Sequence, residues 1–121
     1  TNRLVGSEMC IRDSSNSFLE GNRKRTVRII ETLRAEGTQP PLVLWALSKE
    51  INNLYKVLEQ GTTKNIWGPR YYLDLLSKRS NSLSYSKIKN SLKDIAEIDA
   101  AIKGLSDKNP WQSIRDLALN F

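Results

Sequence analysis

The sequence contains no histidine and a single cysteine, Cys10. A disulfide needs two cysteines, a Ser-His-Asp triad needs histidine, and protein zinc sites are built mainly from these two residue types. The sequence therefore excludes an internal disulfide, this triad and a Cys-His pair, and leaves only carboxylates for a metal site. We expect no cofactor, no metal and no catalytic residue in this chain.

Long hydrophobic runs are also missing. The longest, Pro41 to Leu47, is far shorter than the roughly 20 residues of a membrane-spanning helix. No secretory signal pattern opens the chain, so we expect a cytoplasmic protein without membrane contact. The net charge is +6, which allows contact with phosphate groups but serves solubility equally well.

Helical periodicity is clearest in residues 40–60. Apolar residues recur there at steps of three and four, which predicts one buried stripe on an α-helix. Pro40 suits the first helical turn, and Gly61 suits a left-handed C-terminal cap. Trp45 widens the stripe in this pattern, so the predicted core residues of this helix are Leu44, Trp45, Leu47, Ile51, Leu54 and Leu58.

The same period recurs along most of the chain. Helices are predicted over residues 23–36, 70–79 and 84–103 and from Pro110 onward, with the end of another helix over residues 15–21. No segment alternates with period two, so no strand is predicted. The sequence predicts an all-α fold, a small orthogonal bundle of about five helices. Its further core residues are Ile95, Ile98, Ile102 and Trp111.

Residues 1–14 differ from the rest, because they show neither a helical stripe nor alternation. The stretch from Val5 to Ser14 resembles a peptide that arises when sequencing-adapter DNA is translated onto the end of an assembled fragment. No initiator methionine opens the sequence, and we expect the reading frame to be truncated upstream. We therefore predict a non-native or disordered tail over residues 1–14 and a helical domain over residues 15–121; a natural flexible tail is the alternative.

Two groups of cations are candidates for partner contact. Arg23, Lys24, Arg25 and Arg28 open a helix, where cations are unfavourable beside the positive end of the helix dipole. Phosphate or an acidic partner would offset this repulsion, although a solvated surface explains the residues equally well. The second group is Lys87, Lys89 and Lys93. Two function classes follow from the residues alone, an assembly domain and a nucleic-acid-binding module.

Carboxylates offer a weaker signal. Asp94, Glu97 and Asp99 fall within two turns of one predicted helix. Paired carboxylates can transfer protons or hold a metal, but no histidine accompanies them. Asp99 and Lys103 are also spaced for an ordinary i,i+4 ion pair. We therefore interpret these carboxylates as surface charge.

Four short motifs occur in one order along the chain. They are Arg34 to Leu47, Ile66 to Arg70, Glu97 to Gly104, and Asn109-Pro110-Trp111 with Leu117. They resemble, respectively, the R-x-E-G-x-x-P-x-x-L-L-x-x-L stretch, the V-W-x-x-R segment, the I-D-x-x-L-K-G helix end and the last helix of the delta subunit of bacterial DNA polymerase III. The resemblance runs from about residue 17 to the end of the sequence, in order and with compatible spacings.

The resemblance implies the C-terminal collar domain of a clamp-loader subunit, accessory to a DNA-directed DNA polymerase (a nucleotidyltransferase holoenzyme) in DNA replication. In that family an N-terminal AAA+-like module of delta binds and opens the sliding clamp, and other subunits hydrolyse ATP. Nothing in this sequence matches that module. The collar domains of delta-prime and gamma/tau are the closest competitors, and Trp67 and the Lys103-Gly104 pair favour delta.

The resemblance also implies the partners. They are the gamma/tau and delta-prime subunits, reached through their collar domains, with DNA contacted indirectly and no small-molecule substrate. A stand-alone basic nucleic-acid-binding module is the alternative. The candidate interface residues are Trp67, Arg70, Tyr71, Arg23, Lys24 and Arg28.

Overall fold

The computed structural model describes residues 2–121, with side chains from Met9 onward. The described residues form six α-helices and no strand: α1 (Asn2–Glu20), α2 (Arg23–Ala35), α3 (Pro40–Gln60), α4 (Arg70–Asn81), α5 (Tyr85–Ile102) and α6 (Pro110–Asn120). The predicted all-α class is therefore confirmed, with one helix more than the five expected.

Helix ends follow the local chemistry that the sequence predicts. The side chains of Asn22 and Ser84 accept hydrogen bonds from backbone N–H groups of the first turns of α2 and α5, at 3.2 and 3.1 Å. Asn109 caps α6 in the same way, at 3.0 Å from Trp111 N. Gly61 adopts the left-handed conformation, and its N–H donates to Val57 O at 2.7 Å. Backbone groups left free at the helix ends thus find partners.

Helix α3 is the centre of the fold and packs against α1, α4, α5 and α6. Its residues Leu44, Leu47, Ile51 and Leu54 are buried as predicted, with exposed fractions of at most 2%. Trp45 corrects the prediction, because 64% of its surface is exposed. Trp45 and Leu54 are about two and a half helical turns apart and therefore face opposite sides of α3. The buried stripe widens instead toward Val43, Glu50, Asn53 and Val57.

All of the remaining predicted core residues except Ile98 lie at the edge of the core. Ile98 is buried at 3% exposure, whereas four others are only partly buried and pack against the central cluster: Leu58, Ile95, Ile102 and Trp111. On α5 the inward positions are shared with Ser91 and Ala101, which lets this helix lie close to its neighbours. The predicted stripe faces the core as expected, but the residues at its edges keep part of their surface exposed to solvent.

Helix α1 corrects the predicted tail. Among its described side chains, Ser14 is fully buried, Cys10 and Ile11 are partly buried against the core, and Met9 is exposed. Residues 9–14 are therefore helical, and the domain boundary predicted at residue 15 falls inside α1. The side chains of residues 1–8 lie outside the described residues, and the adapter origin stays a prediction.

Serine explains why this helix escaped the apolar pattern. Ile11, Ser14 and Phe18 follow steps of three and four, but a serine in the middle interrupts the hydrophobic period. Ser14 is tolerated inside because its Oγ donates to Ile11 O at 2.6 Å. One turn later Ser17 Oγ lies 2.9 Å from the buried Thr26 hydroxyl of α2. Small hydroxyl side chains thus take part in the contact between α1 and α2.

The last residue of the described chain packs against α1. The rings of Phe18 and Phe121 stack with centroids 4.3 Å apart, and both side chains are buried. Arg79 of α4 donates from Nη2 to Phe121 O at 2.8 Å and lies over the Phe121 ring. Helices α1, α4 and α6 are therefore joined at this end of the bundle.

Candidate functional site

Large apolar side chains remain exposed in the first turns of α3 and around the α3–α4 loop. The exposed fractions are 92% for Trp67, 64% for Trp45, 63% for Tyr71 and 44% for Leu42. Trp67 lies in the loop between α3 and α4, and Tyr71 lies in the first turn of α4. Leu42 and Trp45 each precede a residue of the adjacent groove, Ala46 and Lys49, by one turn of α3. We call these four residues the aromatic surface.

A groove of about 500 Å³ separates α1 from α3 and the α3–α4 loop beside this surface. Its apolar lining comes from Ile11, Ala46, Trp67, Pro69 and the rings of Tyr71 and Tyr72. Its polar lining comes from Arg12, Ser15, Asn16, Lys49 and Glu50. The groove therefore combines hydrophobic walls with a few charged groups, as binding sites for ligands and peptides commonly do.

A buried hydrogen-bond network joins α3 to α4 and includes two of the residues that line the groove. Tyr72 OH donates to Glu50 Oε1 at 2.6 Å and accepts from Asn53 Nδ2 at 2.8 Å. Glu50 is only 2% exposed, and its burial raises the pKa of the carboxyl group, opposed by the Tyr72 hydrogen bond and by Lys49. Burial and the bond to Glu50 raise the pKa of Tyr72 in turn. The network holds the start of α4 on α3 and so positions Tyr71.

Sequence reasoning missed this network. Glu50 and Asn53 are polar, so the helical pattern gave no reason to turn them inward. The available signal was spacing, because Val43, Leu47, Glu50, Leu54 and Val57 follow steps of three and four on one side of α3.

The loop before α4 projects Trp67 outward for two local reasons. Its neighbour Ile66 is buried at 8% exposure and anchors the loop to the core. Gly68 lies so close to Tyr72 that a Cβ atom there would come within 2.7 Å of the ring. A glycine at this position therefore allows the backbone to pack on the Tyr72 ring, and the side chain of Trp67 is left outside.

The predicted interface residues divide into two groups. Trp67 and Tyr71 line the groove, Arg70 lies between them in sequence, and all three are exposed. The cations of α2, among them Arg23, are exposed as well but lie elsewhere, since α2 packs against α1 and α6. The pKa of Arg79 is lowered by burial and further by the charge of Arg23. Arg23 thus lies near Arg79, toward the end of α4. Tyr71 lies at the start of α4, roughly 12 Å from Arg79 along the helix axis.

The acidic residues of α5 show the surface role that was predicted for them. Asp99 pairs with Lys103 at 2.7 Å, and Glu97 lies 3.8 Å from Lys108. Asp94 and Glu97 line a second depression of about 200 Å³ together with Asp116. Within the described part of the chain, no group of three or more histidine, cysteine, aspartate or glutamate residues is arranged to hold a metal ion.

The second group of cations also has local partners. Lys89 lies over the ring of Tyr85, 4.8 Å from its centroid, and Lys87 donates to Asn120 O. The Tyr85 hydroxyl donates to Glu59 Oε1 at 2.9 Å and lies 2.9 Å from the Tyr55 hydroxyl. These bonds, to Tyr55 first and to Glu59 second, raise the pKa of Tyr85. The cluster joins α3 to α5 at the surface.

Two further findings bear on function. Among the described helices, none combines the length and apolar character that crossing a membrane requires. Comparison of the chain with protein-family models, curated proteins and solved structures found no match. The aromatic surface and the sequence motifs are therefore the basis for a functional proposal.

Proposed function

We propose that this chain is a cytoplasmic assembly module, the C-terminal collar domain of a clamp-loader delta subunit that acts in DNA replication. Its partners are the collar domains of gamma/tau and delta-prime, DNA is contacted indirectly through the loader, and the chain itself carries no catalytic site. The observation that supports the proposal is the exposure of Trp67, at 92%, and of Tyr71, at 63%, which both line the groove.

Exposed aromatic side chains of this size are typical of binding surfaces. A tryptophan or tyrosine buries about 150–250 Å² in contact with a partner, and interface centres are enriched in tryptophan, tyrosine and arginine. Trp45, Trp67 and Tyr71 together offer roughly 400 Å², about half of what one partner buries in a standard interface. The aromatic surface is thus large enough to be the centre of an interface, with polar residues around it.

Three of the four motifs have a role in the fold itself, and the remaining one supports the same proposal. The first supplies the turn at Gly37 and core residues of α3, the third ends α5, and the fourth caps α6 through Asn109. Helix packing explains those three. The second motif, Ile66 to Arg70, leaves Trp67 and Arg70 exposed, where they add nothing to the core. Contact with another molecule explains why a tryptophan stands there.

A nucleic-acid-binding module is the second candidate, favoured by one observation. Arg70 lies between Trp67 and Tyr71 in sequence, and Arg12 and Lys49 line the adjoining groove. Proteins that bind single strands combine aromatic stacking with nearby cations. The two candidates differ in salt dependence, because contacts with phosphate weaken steeply as salt rises and apolar contacts between subunits do not.

The test is capture of purified gamma/tau and delta-prime by the immobilised chain, at low and high salt, with single-stranded DNA, duplex DNA and sliding clamp as parallel baits. We expect capture of the subunits that resists salt. Trp67→Ala should weaken it by about tenfold or more, as loss of an interface centre does. Leu105→Ala is the matched control, since Leu105 is apolar and 79% exposed but lies outside the aromatic surface.

Two results would contradict the proposal. Capture of DNA alone, lost as salt rises, would favour the nucleic-acid-binding module. Equal subunit capture by the wild type and Trp67→Ala would show that the aromatic surface is not the interface. Capture of the sliding clamp is not expected, because the resemblance assigns that contact to the N-terminal module.

A further inference from the structure

We infer that the groove beside the aromatic surface accepts an acidic segment of a protein partner, with one apolar side chain in the groove and carboxylates at its rim. The inference rests on the proposed function in treating this region as protein-binding, and it adds the chemistry of the segment that binds there.

Shape is the first argument. At about 500 Å³ the groove is within the range of sites that hold small ligands. Ala46, Trp67, Pro69 and Tyr71 give it an apolar lining. Such a groove favours a side chain that enters it, such as leucine or phenylalanine, over a flat contact.

Charge is the second argument. Lys49 lines the groove, and Arg70 is exposed and lies in sequence between two lining residues, Pro69 and Tyr71. None of the ion pairs seen from Met9 onward uses either of these two cations. The carboxylate of the groove, Glu50, already accepts from Tyr72 OH. Lys49 Nζ lies 6.0 Å from the centroid of the Tyr72 ring and its charge acts on Glu50, but neither contact is an ion pair. Lys49 and Arg70 can therefore receive acidic side chains of a partner, and a net charge of +6 favours the approach of such a segment.

The same features favour a peptide over a nucleic acid. A bound strand needs cations along a track that follows its backbone. Here Lys49 lines one groove and Arg70 follows its lining residue Pro69, whereas Arg23 of α2 lies near Arg79, toward the other end of α4. Glu50 in the groove lining also places a carboxylate where a phosphate would be repelled. An acidic peptide can keep its carboxylates at the rim and place only its apolar side chain near Glu50.

The test uses the whole chain and short capped peptides with a leucine-phenylalanine pair between glutamates. Matched peptides carry lysines in place of the glutamates, or glycines in place of the apolar pair. Calorimetry or NMR titration gives the affinities. We expect both matched peptides to bind at least about tenfold more weakly than the acidic one. Lys49→Glu should weaken the acidic peptide by about tenfold, and Lys93→Glu, on the exposed side of α5, by less than about twofold.

Several outcomes would overturn the inference. These are absence of binding by the acidic peptide, equal affinity for the lysine peptide, equal effects of Lys49→Glu and Lys93→Glu, and tighter binding of oligothymidine that also depends on Lys49. Circular dichroism of each variant checks that it is folded.

Subunit capture by the same variants separates this inference from the proposed function. Capture of gamma/tau without binding of the acidic peptide overturns only the inference. Charge-dependent binding of the peptide without capture of any subunit overturns only the assignment to the clamp loader.

Discussion

At the scale of single residues, substitutions of Leu54 and Trp45 in α3 should affect different properties. The first should lower stability, and the second should weaken binding. Leu54 is fully buried, so Leu54→Ala should lower the free energy of unfolding by about 2–5 kcal/mol through lost contacts and a cavity. Trp45 is 64% exposed, so Trp45→Ala should lower it by less than about 1 kcal/mol while weakening subunit capture. Urea denaturation of both variants checks the difference, and equal losses of stability would mean that Trp45 is part of the core.

Glu50 predicts an unusual dependence of stability on pH. Burial raises the pKa of Glu50 above its ordinary value of 4.5. Between that value and the raised pKa, the native state binds more protons than the unfolded chain, so the free energy of unfolding decreases as pH rises through this window. Glu50→Gln keeps an oxygen acceptor for Tyr72 and removes the charge. It should flatten this decrease and make the protein more stable than the wild type at neutral pH.

Urea denaturation between about pH 4 and pH 8 measures this effect of Glu50. Glu36→Gln is the matched control, because Glu36 is an exposed glutamate just after α2 and should leave the pH profile unchanged. Parallel profiles of the wild type and Glu50→Gln would show that the buried carboxyl group does not cause the dependence.

At the scale of elements, α1 predicts the effect of removing the first residues. Deletion of residues 1–14 removes Ser14, which is buried, and Ile11, which packs on the core. We expect the free energy of unfolding to fall by about 1–2 kcal/mol, in proportion to the apolar surface exposed. Thermal denaturation followed by circular dichroism measures the change. An unchanged midpoint would show that residues 1–14 do not contribute to the stability of the fold.

Element boundaries were predictable because capping is local. Asn22, Ser84, Gly61 and Asn109 each act within one turn of their own helix, so the sequence alone locates those ends. The inward face of a helix is predictable only while apolar residues mark it. Where Ser14 in α1 or Glu50 in α3 turns inward, the pattern is broken by a polar side chain whose partner belongs to the local backbone or to another helix.

At the scale of the whole molecule, the candidate site could be predicted only in part. Trp67, Arg70 and Tyr71 adjoin a loop, and their exposure follows from that position. The groove could not be foreseen, since it requires α1 to lie opposite α3, a contact between residues distant in sequence. For the same reason the sequence could not separate the cations of α2 from Trp67, although both were candidates for one interface.

The stacking of Phe18 on Phe121 has a consequence for how the protein is made. These rings are about one hundred residues apart in sequence, and both belong to the buried core. Contacts at such separation form only after the intervening chain has been synthesised. During translation the helices near the beginning emerge from the ribosome while the side chain that covers Phe18 is still in the exit tunnel. The nascent domain therefore exposes part of its apolar interior until residue 121 has left the exit tunnel, and this is the period in which chaperones would be needed.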